Sequence, residues 1–263
     1  MQDYKNAYYY AVNQLAGLGE TVIALADARL PPQKFPPGFR FNGLQVNFPL
    51  MGYRLIGAVS MIDPPKAAVP DAIAKVRAAG VKVIMVTGDH PATAAAIAKS
   101  VGIVSPEAEP VPVTLTSVPT AALPAGLVIG EDLEKMTPDL VEDILLRTDE
   151  LVCAGMKPEQ KLHVVETCQR LGGVVTVTGD GVNDAAALRR ADVGVAMGRG
   201  GDAYAVKCAD LVLMDDNFAS IVAGIEEGRL MFENLKKILL YTLSSNVPEL
   251  AAFLLSMVAQ VTI

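Results

Sequence analysis

The sequence predicts an α/β fold: a parallel sheet with helices on both faces, followed by a long stalk and transmembrane helix. Three observations predict it. Residues 174–177 form a β-branched run that breaks at Thr178-Gly179-Asp180-Gly181 and passes into a helical run near Val182. Residues 81–86, the turn Thr87-Gly88-Asp89 and a helix over 92–99 repeat that pattern. Residues 238–263 are nearly all apolar and carry one charge, Glu249; at about 1.5 Å per residue they cross a hydrocarbon core of about 30 Å.

Taken in order, residues 4–16 suit a helix stopped by Gly17-Leu18-Gly19, and 21–26 a strand. Residues 30–49 are crowded with prolines and phenylalanines and have no hydrophobic period, so they read as a linker. A domain boundary falls here. Residues 1–50 are then the tail of another domain with its linker, too short to hold a core, which suggests a piece of a larger protein. Residues 51–217 form the main domain and 218–263 the stalk and membrane helix.

In the main domain, a strand over 53–62 ends in Asp63-Pro64-Pro65-Lys66, where paired prolines fix a stiff, extended turn. A helix over 69–79 is ended by Gly80, and Pro91 suits the first turn of the next helix. Residues 105–124, rich in Pro and Thr, read as a surface insertion. A strand over 127–129, a helix N-capped by Thr137, a strand over 151–154 and a helix over 157–171 follow. Strands over 191–197 and 209–214 lead through Asp215-Asp216-Asn217 into the long helix.

Composition narrows the partners. A net charge of −7 argues against nucleic acid, while a metal-bound nucleotide stays compatible. Cys153, Cys168 and Cys208 lack metal-ligand spacing and read as reduced core thiols of a cytosolic domain. The N-terminus has no secretory signal pattern. Lys236 and Lys237 place the start of the membrane helix on the cytoplasmic side.

Two strand–turn–helix units in one parallel sheet bring both Thr-Gly-Asp turns to its C-terminal edge, where open α/β sheets bind ligands. Asp180 and Asp184 are four apart, so a helix reaching back to the turn would put both on one face with Asn183 beside them. Carboxylates that close repel unless one is protonated or a cation lies between. Hard oxygen ligands at a phosphate-sized turn suggest Mg²⁺. The plainer alternative makes both residues N-terminal acids complementing the helix dipole. Thr87 is a candidate phosphate donor or else a helix-capping hydroxyl, His90 a solvated loop residue, and Lys161 by itself a solvated helix lysine.

The string Thr178-Gly179-Asp180-Gly181-Val182-Asn183-Asp184 resembles the hinge motif of P-type cation-transporting ATPases, within the haloacid-dehalogenase-like superfamily. The resemblance implies a Rossmann-type sheet and ATP and Mg²⁺ as cofactors. Asp180 would hold Mg²⁺, with Asp184 a second choice of ligand and a catalytic residue. Thr87 would bind the phosphoryl group as the second-motif hydroxyl, with Gly88, Asp89 and Asn183 also at the nucleotide phosphates. Lys161 matches the third-motif lysine that offsets their charge. Asp63-Pro64-Pro65 matches the hinge between nucleotide-binding and phosphorylation domains, which makes residues 1–50 the end of the nucleotide-binding domain.

Residues 241–249 resemble the fifth transmembrane helix of the sodium/potassium-transporting branch. On that match Ser245, Asn246 and Glu249 would be ligands of the transported monovalent cations, with Tyr241 nearby; proton/potassium pumps usually carry Lys where Ser245 stands. An intramembrane carboxylate is costly unless functional, and Pro248 frees backbone carbonyls beside it. The rival reading of this helix is a buried core helix of a soluble protein. The branch also implies a plasma-membrane location and a β subunit.

Three departures qualify the resemblance. The phosphorylatable Asp-Lys-Thr-Gly-Thr does not occur; neither Asp63 nor Asp215-Asp216 is followed by Lys-Thr-Gly-Thr, so neither serves as the nucleophile. Thr21 and Gly155 stand where the family usually has arginines, and Gly198-Arg199-Gly200-Gly201-Asp202 departs from its usual sequence. The expectation is a piece of a sodium/potassium-type pump that cannot turn over alone. The alternatives are a truncated, catalytically dead membrane remnant acting as a binding partner, or a haloacid-dehalogenase-like phosphatase.

Overall fold

A computed structural model describes residues 2–114 and 123–259. Helix α1 (Gln2–Gly17) is followed by β1 (Thr21–Asp27), which pairs antiparallel with β2 (Arg54–Met61) across the Pro-rich linker. Then come α2 (Val69–Ala78), β3 (Ile84–Val86), α3 (Pro91–Ser100), β4 (Val111–Pro112), β5 (Leu123–Ile129), α4 (Gly130–Leu133), α5 (Pro138–Arg147), β6 (Thr148–Ala154) and α6 (Pro158–Arg170). The last part holds β7 (Thr176–Gly179), a 3₁₀ turn (Val182–Asp184), α7 (Ala185–Arg190), β8 (Val193–Met197), α8 (Ala203–Cys208), β9 (Leu211–Leu213) and α9 (Ser220–Ala259).

The α/β class holds, with parallel ladders and helices around them. The two Thr-Gly-Asp turns, however, end strands of different ladders. One runs β3-β6-β5-β4 and the other β7-β8-β9, both parallel throughout. Among the described residues no strand hydrogen-bonds to the outer edge of β3 or β7, so the ladders are not joined into one.

Strand alternation sorts the core. Leu151 and Cys153 of β6 face Val141, Ile144 and Leu145 of α5 and Val164 of α6. Val152 and Ala154 point the other way, onto Ile73 of α2 and Ala94 and Ala98 of α3. The four-stranded ladder is thus covered on both faces, which is why residues 125–129 of β5 and 151–154 of β6 read as continuous apolar runs. Burial pushes the Cys153 thiol up to about 12, as a core thiol requires.

Some boundaries differ from those the residues suggested. Strands β5 and β6 begin earlier, at Leu123 and Thr148, because each gains ladder bonds with a neighbour that local pattern does not report. Part of the expected 105–124 insertion is therefore sheet, and its residues 115–122 lie outside the described residues. Thr137 precedes α5 but makes no side-chain cap bond.

A buried carboxylate clamps the first half of the domain. Glu150 at the start of β6 accepts from the Arg77 guanidinium at 2.6 Å and from the Ser105 amide and hydroxyl at 2.8 and 2.6 Å. Arg77 also donates to the carbonyls of Gly102 and Ile103. Burial alone would raise the Glu150 carboxyl; the Ser105 and Arg77 donors outweigh it and hold it below its usual range. Its stabilisation is therefore present above the unfolded carboxyl value of about 4.3 and lost as pH falls through the lower folded value. Glu150→Ala is expected to cost about 3 kcal/mol in urea unfolding, and Glu150→Gln to flatten the acid side of the stability profile.

Among the described residues, helix α9 is pinned to the domain at its start. Phe218 packs onto the α2/α3 core, Asp215 accepts from the Ser220 hydroxyl at 2.8 Å, and Arg229 donates to the Ala79 carbonyl at 2.8 Å. Beyond that its described side chains are exposed apart from a half-buried Ser256, and none of its most apolar window is buried inside the protein. A core helix of a soluble domain would be covered; this one is left for a bilayer or other helices.

Candidate active site

The first turn follows β3. Its backbone is stapled to the end of β6: Thr87 N–H donates to the Cys153 carbonyl, Met156 N–H to the Thr87 carbonyl, and Gly155 N–H to the Asp89 carbonyl, at 2.8 to 2.9 Å. Gly155 makes this bond with φ +63°, a left-handed conformation that suits glycine and strains an arginine. The Thr87 hydroxyl donates to Asp89 Oδ2 at 3.0 Å and accepts from the Asp89 amide at 3.1 Å. It does not cap α3. That role falls to His90, whose Nδ1 accepts from the Ala92 amide at 3.3 Å, so His90 is structural rather than merely solvated. Thr87 stays half-buried, while Gly88 and Asp89 are exposed.

The second turn follows β7. Asp184 folds back over Gly179, where a Cβ would stand 2.6 Å from the Asp184 Cβ, so only glycine fits. This brings Asp184 Oδ1 within 2.7 Å of Lys161 Nζ from α6, with both side chains mostly buried, 18% and 14% exposed. Asp184 Oδ2 is also 3.4 Å from the Gly181 amide. The pair closes α6 onto the turn and gives Lys161 a partner that a solvated helix lysine would lack.

Asp180 and Asp184 do not share a helical face. The backbone is extended at Gly181 and enters a 3₁₀ turn, and the α-helix begins only at Ala185. Asp184 is committed to Lys161. Asp180 is exposed, and its carboxylate has no hydrogen-bond or ion-pair partner among the described residues; only its carbonyl is engaged, by the Asp202 amide at 2.7 Å. Asn183 is likewise exposed at the turn. Among the described residues no group of three or more His, Cys, Asp or Glu converges on one point. A free hard carboxylate with open space beside it fits Mg²⁺, which keeps waters and phosphate oxygens in its shell rather than demanding a protein cage. It does not fit a cation held by protein ligands alone.

One family model, described as haloacid dehalogenase-like hydrolase, matches residues 42–192, a span that contains both turns and Lys161. The chain belongs to this haloacid dehalogenase-like family. It is also similar to α subunits of sodium/potassium-transporting ATPases. It is 53% identical over 261 residues to "Sodium/potassium-transporting ATPase subunit alpha-B" of Artemia franciscana, covering 97% of this chain and 26% of that one. It is 51% identical to subunit alpha-2 of Gallus gallus, over 99% of this chain and 26% of that one. It is 52% identical to the α subunit of Drosophila melanogaster, over 96% and 25%. The chain thus spans about a quarter of the length of these relatives.

In the apolar helix, the Thr242 hydroxyl donates to the Ile238 carbonyl at 3.0 Å and Ser245 to the Thr242 carbonyl at 2.9 Å. Ser245 is therefore satisfied by its own helix. Asn246 lines a shallow apolar groove with Leu243, Val247, Leu250, Ala251 and Leu254, beside Pro248. Glu249 and Asn246 are three apart on one side of the helix, each without a partner among the described residues. No other described element brings oxygen ligands to these three residues.

Sequence reasoning missed Asp202, whose amide holds the Asp180 turn and whose Oδ1 caps α8 through the Tyr204 amide at 2.7 Å. It also missed Asp216, set aside after failing the nucleophile test. An Asp just before a short helix was a readable capping signal for Asp202; nothing local announced Asp216.

Proposed function

We propose that this chain supplies the phosphate-handling turns and the fifth membrane helix of a P-type pump coupling ATP hydrolysis to sodium/potassium exchange. The observation that carries it is the mostly buried Lys161–Asp184 pair at the turn that also holds the free Asp180 carboxylate, on a chain whose last helix is apolar and uncovered. Lys161 neutralises charge at the turn and fixes Asp184. Thr87 presents its hydroxyl to a phosphoryl oxygen, with Gly88, Asp89 and Asn183 around the phosphates. Asp180, with Asp184 as a shared second choice, would hold Mg²⁺, which when bound supplies charge neutralisation and orientation for phosphoryl transfer. Ser245, Asn246 and Glu249 would contribute oxygens to the transported cations once other helices surround them. A β subunit, a plasma-membrane setting and a cytoplasmic position for the main domain belong to the same reading.

The test is phosphorylation of membranes carrying the native gene product by γ-labelled ATP, with and without Na⁺, together with Rb⁺ uptake. A Na⁺-dependent, acid-stable phosphoprotein that contains these residues supports the pump. The 263-residue polypeptide by itself is expected to form none, because its sequence has no Asp-Lys-Thr-Gly-Thr acceptor; a phosphoprotein of that size overturns this part of the reading. Gly155, which stands with a left-handed backbone where the resemblance implies an arginine, favours a second reading as a non-catalytic membrane partner. Co-purification with an intact pump and no phosphoprotein of its own would select that reading.

A further inference from the structure

Asp216 is the only non-glycine residue with a left-handed backbone among the described residues, at φ 51°. Such a conformation persists where surrounding bonds fix it. Here its side chain does the fixing. Oδ1 accepts from the Arg199 amide at 2.9 Å and Oδ2 from the Gly200 amide at 2.6 Å. Both amides belong to residues 198–201, the loop between β8 and α8. That loop is wrapped tightly: a Cβ on Gly200 would stand 3.2 Å from Asp216 Oδ2, and one on Gly201 would collide with the Met197 carbonyl.

The loop leads directly to the candidate site. Its next residue, Asp202, donates its amide to the Asp180 carbonyl at 2.7 Å. On the other side, the Asp216 carbonyl accepts from Lys66 Nζ at 2.5 Å, the lysine that closes Asp63-Pro64-Pro65-Lys66. The neighbouring Asp215 holds the Ser220 hydroxyl at the first residue of α9. A short run of bonds and backbone therefore joins the Asp180 turn to the Pro-Pro segment and to the root of the membrane helix.

We propose that Asp216 is a positioning residue that transmits the state of the Asp180 turn to the Asp63–Lys66 segment and to the start of α9. The proposal rests on the reading of that turn as a phosphate and Mg²⁺ site. Its logic is charge-assisted bonding: a carboxylate gripping two loop amides holds loop and helix root as one body. A shift of the loop at Asp202 then displaces the Asp216 carbonyl, and with it Lys66.

Amide hydrogen exchange on the complete gene product in nanodiscs tests this, with and without Mg²⁺ and inorganic phosphate. In the unaltered protein, exchange is expected to slow over residues 178–184. It should also slow about fivefold over 66–69 and 218–222, the lower end of ordinary coupling. Asp216→Gly keeps the left-handed backbone but deletes the grip; it should retain the response at 178–184 and lose the two distant ones. Asp216→Asn, with one acceptor left, should be intermediate. Lys66→Met should lose the response at 66–69 and keep that at 218–222, which tests the relay even where a variant at 216 fails to fold. Responses at 66–69 and 218–222 in Asp216→Gly, or at 66–69 in Lys66→Met, equal to those of the unaltered protein would overturn the relay and leave the site reading standing. No slowing at 178–184 in the unaltered protein would overturn the site reading, and the relay with it.

Discussion

Asp180→Asn in the complete gene product is expected to lower Mg²⁺-dependent phosphorylation from ATP by about 100-fold or more, with the fold intact. The substitution keeps the side chain's size and removes one negative charge. Nothing in the fold needs that charge, since the carboxylate touches no other described group and the bond to Asp202 uses the backbone carbonyl. The thermal midpoint should stay within a degree or so, as for surface changes away from structural bonds. The defect should be metal-specific, with the Mg²⁺ concentration for half-maximal phosphorylation rising before the maximal rate falls. A variant that phosphorylates normally at limiting Mg²⁺ would remove Asp180 from the site and make it a plain N-terminal acid.

Much of this was legible because local pattern and tertiary structure agree. A β-branched run, a glycine turn and a helix specify where Asp180 stands without knowledge of neighbouring strands. The long apolar helix is written in composition alone, and its lack of cover within the domain agrees with it. What could not be read is non-local. The pairing of Lys161 with Asp184 crosses 23 residues, and the Glu150 clamp gathers Arg77 and Ser105 over 73 and 45. Hydrogen-bond register, which extends β5 and β6 and keeps β3 and β7 in separate ladders, likewise depends on partners elsewhere in the chain. Asp216 shows the same limit: its neighbours rule it out as the nucleophile, but nothing beside it announces that its carboxylate binds two amides contributed from 16 and 17 residues away.

Lys161→Met should affect stability and chemistry together, and the sign of a second substitution tells them apart. The ammonium sits 2.7 Å from Asp184 with both side chains largely out of solvent, so its removal leaves a half-buried carboxylate without its counter-ion. Breaking a buried pair from one side costs about 3 kcal/mol or more; these groups keep some exposure, so about 2 kcal/mol is expected in urea unfolding. Adding Asp184→Asn to Lys161→Met removes the stranded charge and should restore much of that stability, a positive coupling between neighbours. Phosphorylation should not recover with it. If Lys161 neutralises phosphate charge as well as Asp184, the double variant stays about 100-fold down while its unfolding midpoint returns toward normal. Recovery of both together would reduce Lys161 to a structural counter-ion for Asp184, and the charge offset at the turn would then have to come from the metal and the backbone amides of residues 179–184.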